Sequence, residues 1–173
     1  MSVVDPPGRL VYVECKPDEA LVSILTDREA RVVHQANKPE VVKALKRTAK
    51  GKEGALDIVA VVDEDPGSAQ PRSLREEFNE VRSTENLKIL AFRGSSAKLV
   101  ILRPRLEEWI LSACRLCGVD PRELGLSDDP NELHRIVNVR LEKFTKLVEG
   151  LRGKRCRAVE ELEKELREGI RFA

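Results

Sequence analysis

The feature that most constrains the fold is an uninterrupted apolar run that ends in a row of acids. Ile58 to Val62 has the sequence IVAVV, Asp63-Glu64-Asp65 follows directly, and Pro66-Gly67 ends the segment. A continuous run of this kind is typical of a strand buried on both faces, as at the centre of a parallel sheet. Because ligands of open α/β sheets bind outside the carboxyl ends of the strands, Asp63 and Asp65 are expected at a binding edge.

Four further strands are predicted around this central run. The last two are separated only by the turn Arg93-Gly94-Ser95-Ser96, and this spacing is too short for a parallel crossover. They must therefore form an antiparallel hairpin in an otherwise parallel, α/β sheet. The four predicted strands are 10–13, 30–34, 87–92 and 98–102.

Helices are predicted from capping residues and from apolar periodicity. Asp18 is a plausible N-cap for a helix over 19–25, and Asn37 for one that runs to about Lys50. Ser73 opens a capping box, which predicts a helix to about Val81. A further helix opens at Pro104, and its buried stripe comprises Leu106, Trp109, Ile110, Ala113 and Cys117.

From Gly118 onward the sequence has no strand signal. It predicts a helical turn over 120–124, one long helix from Asp129 to Leu151, a basic turn, and a final amphipathic helix over 159–170. This C-terminal helical hairpin either packs on the sheet or mediates a homodimer. We therefore divide the chain into an α/β domain, 1–117, and a helical C-terminal extension, 118–173.

Composition limits the possible partners. The chain has 31 basic and 30 acidic residues and a net charge of +1, so any attraction to nucleic acid must be local. Aromatic residues make up only 3%, which excludes rows of stacking aromatics. No apolar stretch approaches the length of a membrane span and the N-terminus does not resemble a signal peptide, so we expect no membrane association and a cytoplasmic location.

The cysteines allow three interpretations. Cys114 and Cys117 form a C-x-x-C on a predicted helix, without a second such pair and without a histidine at ligand spacing. The first interpretation is that the cysteines are small buried hydrophobes. A disulfide between Cys117 and Cys156 is the second, and zinc is the third.

A candidate metal site follows from the strand order. Glu14 ends the first strand, and the first and third strands of a right-handed β-α-β-α-β unit can lie side by side. Their carboxyl ends would bring Glu14 next to Asp63 and Asp65, three hard oxygen donors that select Mg²⁺ or Mn²⁺. Glu14, if it stays off the metal, could act as a general acid or base. A single acid at a strand end is often only a turn former, so the convergence is what favours a site.

Three segments resemble the Toprim family. The sequence VECKPDEAL from Val13 resembles V-E-G-x-x-D-E-x-L, and VVDED from Val61 resembles the D-x-D strand end of Toprim domains. The sequence LEEWIL from Leu106 is similar to L-E-x-W-h-L, where h is apolar, in small stand-alone Toprim-like proteins. Those proteins are related to the overcoming-lysogenization-defect nucleases. The resemblance covers about residues 8–117.

The resemblance implies a Toprim-like Rossmannoid sheet and magnesium-dependent phosphodiester chemistry on nucleic acid, as a nuclease. Matched by position, Glu14, Asp63 and Asp65 are the catalytic and metal-binding acids, and Glu107 matches a further metal ligand of the nuclease branch. Cys15 stands where the family has glycine, a residue that permits positive φ and close approach of the backbone to a phosphate. A non-catalytic, degenerate Toprim-like module that binds nucleic acid or a protein is therefore an open alternative.

A phosphoacceptor receiver domain is a rival interpretation of the fold. It would require an acidic pair after the first strand and a lysine at the end of the fifth, whereas Lys98 lies at the start of the fifth strand.

The candidate nucleic-acid contacts are basic residues: Lys16, Lys43, Lys46 and Arg47. The last three lie opposite the apolar stripe of their helix, a position that also fits an ordinary solvated surface.

Overall fold

The computed structural model describes residues 9–51 and 57–168, and it contains one mixed sheet within them. The sheet order is β2-β1-β3-β6-β5-β4; β2, β1, β3 and β6 pair in parallel, and β5 pairs antiparallel with both of its neighbours, β6 and β4. The predicted α/β class, mostly parallel sheet and antiparallel hairpin are thereby confirmed. The strands are β1 (Leu10–Val13), β2 (Arg31–His34), β3 (Ile58–Asp63), β4 (Phe78–Ser83), β5 (Leu87–Phe92) and β6 (Lys98–Leu102).

Helices follow most of the strands, and a helical region closes the described chain. No described helix has the length and apolar character needed to cross a membrane. The helices are α1 (Lys16–Leu25), α2 (Lys38–Lys50), α3 (Ser73–Glu76), α4 (Leu106–Cys117), α5 (Pro130–Ile136), α6 (Leu141–Gly153) and α7 (Arg157–Arg167), with a 3-10 turn at Pro121–Leu124.

Strand β3 lies at the centre, as its apolar run predicts. It pairs with β1 on one side and β6 on the other, and its first five residues are buried. Val59 and Val61 face a core that also contains residues of α1, α4 and the C-terminal helices. Ala60 and Val62 face a second core on the side of α2. Both faces of the strand are covered, which explains why its sequence does not alternate.

The described C-terminal helices bury their apolar residues in the same core as one face of the sheet. Phe144, Leu151 and Leu162 are fully buried in this core together with Val61. The division of the chain at residue 118 and the homodimer stay predictions. The predicted end of the last helix, at 170, lies outside the described residues.

The helix predicted from Ser73 to Val81 begins at the predicted residue, but its predicted end is wrong. Helix α3 ends at Glu76, Ser73 caps nothing, and the chain then enters β4 at the edge of the sheet. Leu74, Phe78 and Val81 have helical spacing, but pairing with β5 overrides it. A register shift between Glu80 and Arg82 marks a bulge, and Val81 within it is 54% exposed.

The single long helix predicted from Asp129 is also wrong. The chain forms α5 and α6 with a turn over 137–140 between them. Asn138 and β-branched Val139 have low helix propensity, and neither glycine nor proline marks the break. The turn allows Leu133 on one segment and Phe144 on the other to be fully buried.

Cys117 and Cys156 form a disulfide with a Cα–Cα distance of 5.7 Å. It joins the last residue of α4 to the residue before α7. The interpretation of all the cysteines as buried hydrophobes is therefore wrong for this pair, and the second interpretation is correct. Cys114 is a buried thiol, and Cys15 is a half-buried one.

Candidate functional site

The ends of β1 and β3 are neighbours, as the sequence predicts. Val13 is in register with Val61, so Glu14 and Asp63 both lie at the carboxyl edge of the parallel strands. Glu14 is half-buried at this edge. Its pKa is raised, chiefly by burial; the charge of Lys38 opposes the shift, and Asp65 adds to it.

Asp63 is tied to the start of α4. Its Oδ1 accepts a hydrogen bond of 2.9 Å from the backbone N–H of Leu106. Burial raises the pKa of Asp63 to about 9, and the nearby carboxyl groups of Asp18, Glu107 and Glu14 add to the shift. At neutral pH, and without a cation, this side chain therefore holds a proton.

Asp18 is a member of the cluster that the sequence prediction missed. It lies in the first turn of α1, whose N-cap is Cys15, so the predicted cap at Asp18 is wrong. The side chain is fully buried, it accepts a hydrogen bond of 3.1 Å from Cys15 Sγ, and its Oδ1 has no partner. Its pKa is raised to about 7 by burial; the Cys15 hydrogen bond opposes this, and Glu14 reinforces it. Its helical spacing to buried Leu21 and Leu25 is the signal that could have revealed it.

Glu107 lies inside the protein, on the first turn of α4. It is only 4% exposed, although its position at the flank of the apolar stripe also fits a solvated charge. Its Oε1 lies 2.8 Å from Nδ1 of His134, on α5, and its Oε2 has no hydrogen-bond partner. His134 has no local sequence signal, because 27 residues separate it from Glu107.

Asp65 belongs to the turn that leaves β3. Its φ is +45°, a left-handed conformation that aspartate and asparagine tolerate better than most residues. Its backbone N–H donates to the carbonyl of Pro104 at 3.0 Å. Asp65 raises the pKa of Asp63, Asp18 and Glu14, which places its charge near theirs.

Cys15 causes no backbone strain where the Toprim pattern has glycine. Its φ is −148°, which is extended backbone that any residue adopts. Burial raises the pKa of the thiol, and the carboxyl group of Asp18 adds to the shift. The thiol thus stays protonated and serves as the hydrogen-bond donor to Asp18.

Together these acids form a set of hard oxygen donors, which we call the acidic edge: Glu14, Asp18, Asp63, Asp65 and Glu107. Its members raise the pKa values of one another, and Asp18 and Glu107 each bury one oxygen without a partner. This donor chemistry suits Mg²⁺ or Mn²⁺. In the ranges 9–51 and 57–168, however, no three His, Cys, Asp or Glu side chains are arranged to hold an ion. Ion binding would therefore require side-chain rotation.

The candidate nucleic-acid contacts have different surroundings. Lys16 is exposed at the start of α1, two residues after Glu14. On α2, Lys43 is exposed and Arg47 is exposed, whereas Nζ of Lys46 lies 2.6 Å from Oε2 of Glu77. Lys46 is thus engaged by a carboxylate. Lys43 also lies 3.4 Å from Oε1 of Glu40, but its side chain is exposed, as are those of Lys16 and Arg47.

Lys98, the residue relevant to a receiver domain, lies away from the acidic edge. It begins β6, and its Nζ donates to Oε2 of Glu165, on α7, at 2.9 Å. It therefore cannot serve as the lysine at the carboxyl end of a strand that a receiver domain requires. Comparisons of the chain with protein-family models, with curated proteins and with solved structures find no match.

Proposed function

We propose that this chain is a Toprim-like protein that performs Mg²⁺- or Mn²⁺-dependent phosphodiester chemistry on nucleic acid, as a nuclease. The observation that carries the proposal is the acidic edge itself. Acids from β1, α1, β3 and α4 are gathered at the carboxyl ends of parallel strands, with no arginine or lysine paired to Asp18, Asp63 or Glu107 among the described residues. Clustered, perturbed acids at this place in an α/β fold are typical of a functional site.

The chemistry of the donor set suits a divalent cation, although the described side chains are not arranged around one. Glu14, Asp63, Asp65 and Glu107 would hold it, and buried Asp18 would add negative charge behind them. A bound cation stabilises negative charge on a phosphoryl group and lowers the pKa of a water ligand. The unpartnered oxygens of Asp18 and Glu107 support this assignment, since buried polar atoms are normally satisfied.

The surrounding residues would position the acids. The Leu106 N–H fixes one oxygen of Asp63, and His134 holds one oxygen of Glu107. Glu14 is less buried than Asp18 and has a raised pKa, so it is the acid best placed to exchange a proton with a substrate. In this proposal, Lys16, Lys43 and Arg47 contact the nucleic acid, and Lys46 does so when Glu77 releases it. We also propose that α6 and α7 form a hairpin that mediates a homodimer through faces other than the apolar ones, which are buried against the sheet.

A non-catalytic module that binds nucleic acid or a protein is the second candidate. The observation that favours it is that no described group of three potential ligands is arranged for an ion. In addition, the hydrogen bond from Leu106 gives Asp63 a structural role that needs no metal.

A cleavage assay with full-length protein separates these candidates. Labelled single- and double-stranded DNA and RNA are incubated with Mg²⁺, with Mn²⁺ or with EDTA. We expect cleavage with one of the two metals and none in EDTA. Asp63→Asn should abolish cleavage, whereas Glu142→Gln, which changes an exposed acid on α6, should not.

Calorimetric titration with Mn²⁺ gives an independent measurement of the metal site. Asp63→Asn is expected to weaken Mn²⁺ binding strongly. Equal binding by the wild type and this variant would eliminate the metal site. Binding of metal and nucleic acid without cleavage of any substrate would instead favour the non-catalytic module.

A further inference from the structure

A cleft of about 920 Å³ opens beside the acidic edge on the α2 side of the sheet. Asp63 is part of its lining, so the cleft reaches the acids. Its apolar lining comes from the strands of this face: Val62, Phe78, Leu90 and Ile101. The cleft therefore combines an apolar floor with contact to one candidate catalytic residue, Asp63.

Lys38 is a buried cation in the wall of this cleft. It is 7% exposed, and its Nζ donates to the carbonyl of Glu64 at 2.7 Å and to Oε1 of Gln70 at 3.1 Å. Both acceptors are neutral, and no described carboxylate lies within ion-pair distance. A buried ammonium group is costly unless an anion compensates it. Lysine has three donors, so the charge and one N–H of Lys38 are available to a ligand.

Arg72 and Arg75 add exposed positive charge to the cleft. Neither forms an ion pair within the described part of the chain. Two of the lining carboxylates are paired: Glu64 lies 2.9 Å from Arg103, and Glu80 lies 3.7 Å from Lys88. Asp63 and Glu76 form no ion pair among the described residues, and they face three lining cations that are also without one: Lys38, Arg72 and Arg75. The cleft thus has a surplus of positive charge, as a binding site for phosphate requires.

We propose that this cleft is the substrate groove and that it takes a single-stranded segment of nucleic acid, with phosphates on Lys38, Arg72 and Arg75 and an unpaired base against the apolar floor. The assignment rests on the proposed function and specifies its substrate class. A cavity of about 300–1,000 Å³ holds a ligand of drug size, which corresponds to very few nucleotides. A duplex keeps its bases stacked inside and cannot place one on the floor, whereas a single strand can.

The test measures binding without catalysis. Fluorescein-labelled eight-nucleotide oligothymidylate and oligouridylate are titrated with full-length protein in EDTA and followed by fluorescence anisotropy. Arg72→Gln/Arg75→Gln is compared with Arg115→Gln/Arg140→Gln, which removes the same charge from exposed, unpaired arginines elsewhere in the described chain. Lys38 is left intact because it is buried and its substitution could affect folding.

We expect the cleft variant to lose at least ~10-fold in affinity and the control variant to bind like the wild type. The slope of log affinity against log salt should become shallower by about 1.4 in the cleft variant, since each phosphate contact to a single strand contributes about 0.7. The two oligonucleotides distinguish DNA from RNA as the source of the strand.

Two results with the variants would overturn the groove assignment: equal affinity of the wild type and the cleft variant, or an equal loss of affinity in the control variant. Two results with other ligands would also overturn it: a duplex that binds as tightly as the single strand, or a mononucleotide that competes with the same affinity as the oligonucleotide. Because the titration contains no metal, it is independent of the cleavage assay. If the protein cleaves nucleic acid but the cleft variant binds the oligonucleotides like the wild type, only the groove assignment is refuted. If the cleft binds the oligonucleotides but no substrate is cleaved, only the nuclease proposal is refuted.

Discussion

The two ends of α1 hold aspartates in opposite electrostatic environments. Asp18, in the first turn, is fully buried among other acids, and its pKa is raised to about 7. Asp27, just after the last turn, is exposed and lies 2.6 Å from both Arg152 and Arg167. Hydrogen bonds from these two arginines hold the pKa of Asp27 well below its usual range. An aspartate thus destabilises the metal-free folded state at the start of α1 and stabilises the folded state at its end.

The difference separates architecture from function. Asp27 joins α1 to α6 and α7 through its two arginines, so its role is explained by the fold alone. The acidic edge has no such explanation, because its members repel one another and leave buried oxygens unpartnered. Asp18 and Glu107 each lie in the first turn of a helix, where the helix dipole favours a negative charge and offsets part of the cost.

Reduction of the disulfide, which joins α4 to the residue before α7, is expected to have the largest effect, a lower free energy of unfolding. Cys117 and Cys156 are 39 residues apart, and the chain-entropy relation gives a loss of about 4 kcal/mol for opening such a loop. Urea unfolding with and without reductant measures it, with Cys114→Ser as the control that keeps the disulfide. An unchanged midpoint on reduction would show that the helices hold α4 without the covalent link.

Asp63→Asn is expected to change the pH dependence of stability in EDTA. Between about pH 4 and pH 9 the folded wild type keeps a proton that the unfolded chain has released, so its stability falls as the pH rises. The variant lacks this contribution, so it should be more stable than the wild type at pH 9 and similar to it at pH 4. Parallel pH profiles of the two proteins in urea unfolding would contradict the buried, repelling cluster.

Binding of magnesium or manganese should offset the repulsion among the carboxylates of the acidic edge and stabilise the folded protein. An ion that binds only the folded state stabilises it by about 2.7 kcal/mol at 100 times its dissociation constant. The wild type should therefore melt at a higher temperature with the metal, and Asp63→Asn much less so. Melting curves with excess Mg²⁺, with Mn²⁺ and with EDTA decide this, and an equal shift in both proteins would place the ion elsewhere.

The sequence predicts those parts of the fold and of the acidic edge for which a local pattern determines the outcome. The apolar run before Asp63 identified the central strand, and the strand order then brought Glu14 to the same edge. Asn37 is the predicted N-cap of α2, and its side chain accepts from the N–H of Glu40. In each case the relevant neighbours lie within one element or one β-α-β unit.

The missed features depend on contacts between distant parts of the chain. The edge strand β4 exists because β5 supplies its hydrogen bonds, and its own sequence fits a helix as well. Asp18 has the residue type of an N-cap, and only the packing of α1 against the core buries it. His134 reaches Glu107 because α5 packs on α4, a contact that no local motif encodes.

Asp65→Asn offers a finer test of the acidic edge. Asparagine tolerates the positive φ at this position, so the turn should be retained. Removal of one charge near the other acids should raise the melting temperature in EDTA, because it removes repulsion worth about 1 kcal/mol of unfolding free energy for a close pair in a water-like dielectric. Excess Mg²⁺ should then stabilise the wild type more than the variant. A variant that is less stable in EDTA, with no magnesium effect on either protein, would point to a purely structural turn.

Asp27→Asn is expected to have the smallest effect and the opposite pH dependence, since its charge is exposed to solvent and screened by salt. Asparagine also tolerates the φ of +51° at this position, so the backbone should not change. The pKa of Asp27 is lowered in the folded state, and the stability it provides is therefore present above the ordinary aspartate pKa of 3.8 and lost as the pH falls below it. At pH 7 the variant should be the less stable protein, and the difference should shrink in acid and in high salt.

Urea unfolding of Asp27→Asn and Asp63→Asn across the same pH series completes the comparison. The two differences from the wild type should have opposite signs at high pH, negative for Asp27→Asn and positive for Asp63→Asn. If Asp27→Asn instead stabilised the protein, the ion pairs of Asp27 with Arg152 and Arg167 would not stabilise the fold. Both substitutions would then be stabilising, although one aspartate has cationic neighbours and the other acidic ones. The contrast between the two ends of α1 would reflect only how deeply each aspartate is buried.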